Sequence, residues 1–298
     1  MKPLVVPLPG NEAMASSLAG LLSADIGRIE VRAFPDGETY LRLIDNPAGR
    51  AVMLVCTLHH PNDKLLPLLF AAATIRELAA TYVGLVAPYL AYMRQDTRFR
   101  PGEAVTSRHV ARLLSEAFDW LVTVDPHLHR HSSLAEIYSI PTRIAHAAPL
   151  IARWVRDNVH DAVIIGPDSE SKQWVSEVAK DAGVPFAVLE KHRHGDRDVT
   201  IEVKSLNSLA DHTPVLVDDI ISSGTTMIEA VRVLMPRTKR SPVCLGVHGL
   251  FADRADELLA RAGARVITCN TVPHSTNAID VAPLLAAAIT SPNFVIAQ

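Results

Sequence analysis

Short runs of branched apolar residues alternate with amphipathic stretches of helical period along most of this chain, and that rhythm limits the fold more than any other feature. The first half offers "LVVPL", "RIEVRAF", "TYLRL", "AVMLVC", "YVGLVAPYL" and "WLVTVD". The second half offers "AVIIGPD", "FAVLEK", "VTIEV", "PVLVDD", "VCLGVHGLF" and "RVITCN". Between them lie helical patterns at 61–80, 106–117, 170–182, 225–235 and 253–262. Strand–helix alternation of this kind predicts an α/β fold, with mainly parallel sheets covered by helices on both faces. Such sheets hold ligands at the carboxyl ends of their strands.

The strand candidates divide into two similar sets, and the 298 residues suffice for two domains. The division falls near "IPTRIAHAAP", which predicts domains at 1–144 and 145–298; the last segment, "IDVAPLLAAAI", is free to pack on either. A net charge of -3 argues against a broad nucleic-acid surface. The N-terminus is too short and too proline-broken for a signal peptide, and no apolar run reaches membrane-spanning length. Cys56, Cys244 and Cys269 each belong to an apolar strand-like run, the pattern of reduced core thiols. A soluble, cytoplasmic protein is expected.

The polar clusters fall at predicted strand ends. "VLVDDIISSGTTM" joins an apolar run to Asp218 and Asp219, then to Ser222, Ser223, Gly224, Thr225 and Thr226. Met227, Ala230, Val231 and Leu234 mark the inner face of the helix that follows. Free amides at a helix start suit a phosphate, and acids beside them suit ribose hydroxyls or a cation. Plain capping of the helix is the alternative.

In "FPDGETYLRL", Asp36-Gly37 is a hairpin signal, while Phe34, Asp36 and Glu38 have the chemistry of a purine and ribose pocket. "PYLAYMRQDTRFRPGE" delivers Arg94, Gln95, Asp96, Arg98 and Arg100, suited to a polyphosphate or else to a solvated loop. "VDPHLHRHSS" carries Asp125, His127, His129 and His131 around Arg130. One histidine with Asp125 suits a nucleotide-bound Mg2+ better than the set suits a transition metal. "IGPDSESK" repeats the strand, acid and hydroxyl pattern at Asp168, with N-capping as the alternative. "LEKHRHGDRD" places Lys191 and Arg193 between two strands, as a charged hairpin or as cations for a transferring phosphoryl group.

The order of these motifs along the chain resembles the ribose-phosphate diphosphokinase (PRPP synthetase) family, in particular its shorter archaeal forms. The likeness runs through "HGLF" at 248–251 and "NTVP" at 270–273. It implies two domains of the type I phosphoribosyltransferase fold and a reaction of ATP with ribose 5-phosphate, assisted by Mg2+. By the same likeness, Phe34, Asp36, Glu38, Arg94, Gln95 and Asp96 hold ATP, and His127 and Asp168 ligate the metal. Lys191 and Arg193 stabilise the transferring group. Asp218 and Asp219 take the ribose hydroxyls, and Ser222–Thr226 cradles the 5-phosphate. The family implies a homo-oligomer, while charge and hydropathy predict no nucleic-acid or membrane partner. Asp168-Ser169-Glu170-Ser171 departs from the glycine-bearing turn of the family. That departure keeps a catalytically silent regulatory relative as the second reading, with a PRPP-consuming transferase third.

Overall fold

The computed structural model describes residues 1–128, 130–167, 171–193, 199–204 and 209–291, and for residues 172–173, 190–193 and 199–204 it describes the backbone only. Asp168, Ser169, Glu170 and His129 therefore lie outside the described residues. The chain forms two compact units. One is Met1–His146 together with the segment that starts at Val281; the other is Ala147–Asp280.

The first unit runs β1 (Leu4–Pro7), α1 (Glu12–Leu22), β2 (Asp25–Ile26), β3 (Ile29–Ala33), β4 (Thr39–Leu43), β5 (Ala51–Val55), α2 (Pro61–Glu77), β6 (Tyr82–Ala87), α3 (Thr106–Ala117), β7 (Trp120–Val124) and β8 (Thr142–Ala145). Six strands form a wholly parallel sheet in the order β2-β1-β5-β6-β7-β8. The central strands are buried almost throughout, as expected of apolar runs covered by helices on both faces. Gly84 of β6 stands directly opposite Trp120 of β7. A Cβ at Gly84 would lie 2.0 Å from Trp120 Cε2, so the indole occupies the space that only glycine leaves. "RIEVRAF" and "TYLRL" do not join this sheet. They form a separate antiparallel hairpin, β3–β4, closed by Asp36-Gly37 with Gly37 at φ 92°.

The second unit runs α4 (Ala148–Asn158), β9 (Ala162–Gly166), α5 (Lys172–Ala182), β10 (Phe186–Arg193), β11 (Val199–Lys204), β12 (Thr213–Ile221), α6 (Thr225–Leu234), β13 (Val243–Gly249), α7 (Ala255–Arg261), β14 (Arg265–Cys269) and β15 (Asn277–Ile279). Its sheet has the order β11-β10-β9-β12-β13-β14-β15, parallel except for β10–β11. Leaving aside β11, both sheets repeat one order: the first strand lies between the second and the third, and the rest follow outward. Met227, Ala230, Val231 and Leu234 are buried against Val163, Ile165, Leu216 and Cys244, which is the inner face that the periodicity of α6 predicts.

The last helix, α8 (Ala282–Ile289), packs on α1, β7 and β8 of the first unit. Its buried residues Ala282, Leu285, Ala286 and Ile289 supply the apolar stripe. All three cysteines are buried and unbridged, and burial pushes the Cys56 and Cys244 thiols up to about 12. Among the described residues, no helix is long and apolar enough to cross a membrane.

Candidate active site

The candidate residues fall into two groups, one on each unit. On the first unit they stand on the β3–β4 hairpin and after the carboxyl ends of β6 and β7. Phe34, Asp36 and Glu38 are all exposed at the hairpin tip. The tip is closed by its own bonds: Phe34 N donates to the Glu38 carbonyl at 2.7 Å, and Glu38 N to Asp36 Oδ1 at 3.3 Å. The Phe34 ring meets Tyr40 edge-on at 6.1 Å, and the Arg32 guanidinium lies 4.9 Å from the Phe34 centroid. An aromatic face held in water, with acids beside it, is suited to stacking on a base.

After β6 the chain presents Arg94, Gln95 and Asp96 in different settings. Arg94 is exposed. Gln95 is fixed to the start of α3, where its Oε1 accepts from Thr106 Oγ1 at 3.0 Å and its carbonyl from Ser107 N at 3.3 Å. Asp96 is buried, and its Oδ1 accepts from Arg130 Nη1 at 2.9 Å. After β7, His127 is half-buried. Asp125 has φ 29°, and its Oδ1 lies 2.9 Å from His146 Nδ1. His131 Nδ1 pairs with Glu136 at 2.8 Å. Glu136 also accepts from Ser132 N and Oγ, and these bonds together hold its carboxyl down at about 2. Arg130 and His146 did not stand out in the sequence. Arg130 was named only as the residue the histidines surround, and His146 fell in the stretch read as a domain boundary.

The second group surrounds the end of β12. This strand does not stop at the acid pair but continues to Ile221, with Asp218 opposite Gly246 of β13. Asp218 and Asp219 are half-buried, and each Oδ1 accepts the next residue's amide, at 3.0 Å and 2.7 Å. The strand end is clamped from the segment just after β13: Leu250 N and Phe251 N donate to the Ile221 carbonyl at 2.9 Å and 3.1 Å. Ser222 and Ser223 follow, and Gly224 caps α6 in the left-handed region at φ 67°. Ser223 Oγ and Thr225 Oγ1 lie 3.1 Å apart on the loop. Gly224 also fits closely on α7, since a Cβ there would meet Ala255 Cβ at 3.1 Å. Thr225 and Thr226 begin α6, whose first amides have no partner within the helix. The turn therefore offers hydroxyls and amides to an anion, just beyond two carboxylates.

Lys191 and Arg193 stand two apart on β10, opposite Ile201 and Val199 of β11. Only their backbone is described, and Asp168 lies outside the described residues. Among the described residues, no three metal-ligating side chains gather.

Comparison with known proteins identifies the family of both units. A family model described as the N-terminal domain of ribose phosphate pyrophosphokinase matches residues 4–117, and a phosphoribosyl transferase domain model matches 133–285. A ribose-phosphate pyrophosphokinase of Methanopyrus kandleri is 36% identical over 91% of this chain and 93% of its own length. That of Methanothermobacter thermautotrophicus is 34% identical over 95% and 98%. The crystal structure of phosphoribosylpyrophosphate synthetase from Mycobacterium smegmatis superposes with a TM-score of 0.82 at 26% identity, covering 97% of this chain and 98% of that one. This chain belongs to the ribose-phosphate pyrophosphokinase family, as the order of its motifs implied.

Proposed function

We propose that the protein is a ribose-phosphate diphosphokinase: it transfers the β,γ-diphosphoryl group of ATP to the anomeric hydroxyl of ribose 5-phosphate, giving PRPP and AMP. The observation that carries this reading is the presence of both groups in one chain. A transferase that only consumes PRPP has use for the β12–α6 turn, but none for a Phe34 hairpin and an Arg94-Gln95 loop on a second unit.

In this reading Phe34 stacks on the base, while Asp36 and Glu38 accept from the adenine amine or the ribose. Arg94 and Gln95 hold the nucleotide, with Gln95 pinned by Thr106 beforehand. Asp218 and Asp219 bind the ribose hydroxyls, and the Ser222–Thr226 turn takes the 5-phosphate through its hydroxyls and the α6 amides. The anomeric oxygen forms a bond to the β-phosphorus as the bond to the bridging α-oxygen breaks. The hydroxyl proton passes to solvent and AMP departs. Phosphoryl transfer needs alignment and charge neutralisation rather than covalent help, and Lys191 and Arg193 supply positive charge to the moving group.

On the first unit half-buried His127 offers an imidazole, and on the second half-buried Asp218 and Asp219 offer carboxylate oxygens; each is a donor type that Mg2+ accepts alongside phosphate and water oxygens. His127 and Asp168 would hold the ion. When bound it neutralises charge on the diphosphoryl oxygens. The soluble setting and homo-oligomeric assembly expected of the family belong to the same proposal.

The test is to incubate the full chain with Mg2+ and ATP, with and without ribose 5-phosphate, and to separate the nucleotides by chromatography. AMP formed only with the sugar phosphate is expected. ADP in its place would make the protein an ordinary kinase. No nucleotide product from folded protein would favour a silent regulatory relative, with Glu170 as the first residue to revert.

A further inference from the structure

We propose that Arg130 is a nucleotide-binding residue, set in place by the buried carboxylate of Asp96. This rests on the diphosphokinase reading and adds to it a residue from the β7 loop.

The Asp96 side chain is only 2% exposed, and a carboxylate so placed is strongly unfavourable unless its charge is met. Arg130 meets it through Nη1 at 2.9 Å, yet the Arg130 side chain remains 52% exposed. A guanidinium has five N–H donors in a planar fork. The bond to Asp96 engages Nη1, and about half of the side chain stays open to solvent. The same guanidinium lies 5.1 Å from the centroid of the Phe99 ring, itself 65% exposed.

Both flanks of this arrangement are held. Phe99 rides on a turn shaped by Glu103, whose Oε2 accepts from Phe99 N at 2.8 Å and Arg100 N at 3.1 Å, and whose carbonyl accepts from Arg98 Nε at 2.9 Å. On the other side, Glu136 accepts from His131 Nδ1 at 2.8 Å, from Ser132 N at 2.8 Å and from Ser132 Oγ at 2.6 Å. Arg130 thus joins the loop that carries Arg94 and Gln95 while its own loop is fixed immediately after it. An arginine held by a buried acid, half open to water and beside an exposed aromatic ring, is preorganised for bidentate contact with phosphate oxygens. The polyphosphate of the nucleotide is the ligand of that chemistry on this unit. Asp96 then acts on the nucleotide through Arg130, as a positioning residue.

A pair that merely ties two loops together would make a different prediction. The experiment compares wild type, R130A, R130K and D96N by isothermal titration with Mg2+–ATP, by the separate KM values for ATP and ribose 5-phosphate, and by thermal melting. R130A is expected to weaken ATP binding by about tenfold or more, leaving the ribose 5-phosphate KM within about twofold. R130K keeps the charge without the fork and should fall between R130A and wild type. D96N should weaken ATP in the same direction. ATP binding to R130A equal to wild type, or equal losses for both substrates, would overturn the proposal. If R130A fails to fold, R130K decides, and wild-type ATP affinity in that variant counts against Arg130. Failure of the wild type itself to bind ATP is a separate outcome, which contradicts the diphosphokinase reading.

Discussion

Ile221 of β12 fills the space that Gly246 leaves open on β13: a Cβ at position 246 would lie 2.7 Å from Ile221 Cγ1. Ile221 is the residue just before the Ser222–Thr226 turn, and its carbonyl accepts the amides of Leu250 and Phe251. Gly246→Ala should therefore displace the start of this turn, which we propose takes the 5-phosphate. The expected cost is about 1–3 kcal/mol of stability, as for other overpacked cores, with a rise in the ribose 5-phosphate KM larger than that for ATP. Denaturant melts and steady-state kinetics measure both. Equal effects on the two KM values would detach Ile221 from the sugar site.

Lys191 and Asp219 separate the two kinds of contribution. Lys191→Ala should lower kcat by on the order of a hundredfold or more with little change in melting, because the positive charge it supplies counts most in the transition state. Asp219→Asn should instead raise the ribose 5-phosphate KM well beyond the ATP KM. A Lys191→Ala enzyme with wild-type turnover would remove the residue from the mechanism.

Glu136 makes the β7 loop sensitive to acid. Its carboxyl is held at about 2, below the ordinary value of 4.5, first by the Ser132 hydroxyl and then by His131 and the Ser132 amide. A depressed acid stabilises the folded state above its unfolded value and loses that contribution as pH falls through the folded one. The difference in urea midpoint between wild type and Glu136→Gln should accordingly be constant near neutrality and shrink as pH falls from about 4.5 towards 2. A difference independent of pH across that window would show that the Ser132 and His131 bonds do not favour the charged carboxylate.

How much of this was legible in the sequence depended on whether the signal was local. The strands β5, β6, β7, β9, β12 and β13 stood out because residues buried on both faces of a parallel sheet must be apolar in succession. The face of α6 followed from the spacing of Met227, Ala230, Val231 and Leu234. Asp36-Gly37 announced its hairpin by turn chemistry. What the sequence could not show was that β3 and β4 stand apart from the main sheet, because that depends on pairing between distant segments. Short edge strands such as β2 and β15 carry too few residues for a periodicity. Asp96 is the sharpest case. The resemblance assigned it to ATP directly, and only the fold reveals a buried carboxylate that pairs with Arg130. Long-range pairings of this kind leave no spacing to read.

The central claim is that a diphosphoryl group, not a single phosphoryl group, moves from ATP to the sugar. Phosphorus-31 NMR of the complete reaction, with the full chain, Mg2+, ATP and ribose 5-phosphate, observes that transfer directly. The account predicts two mutually coupled diphosphate resonances on the sugar product, growing in step with AMP and with no accumulation of ADP. A new phosphomonoester resonance accompanied by ADP would contradict it.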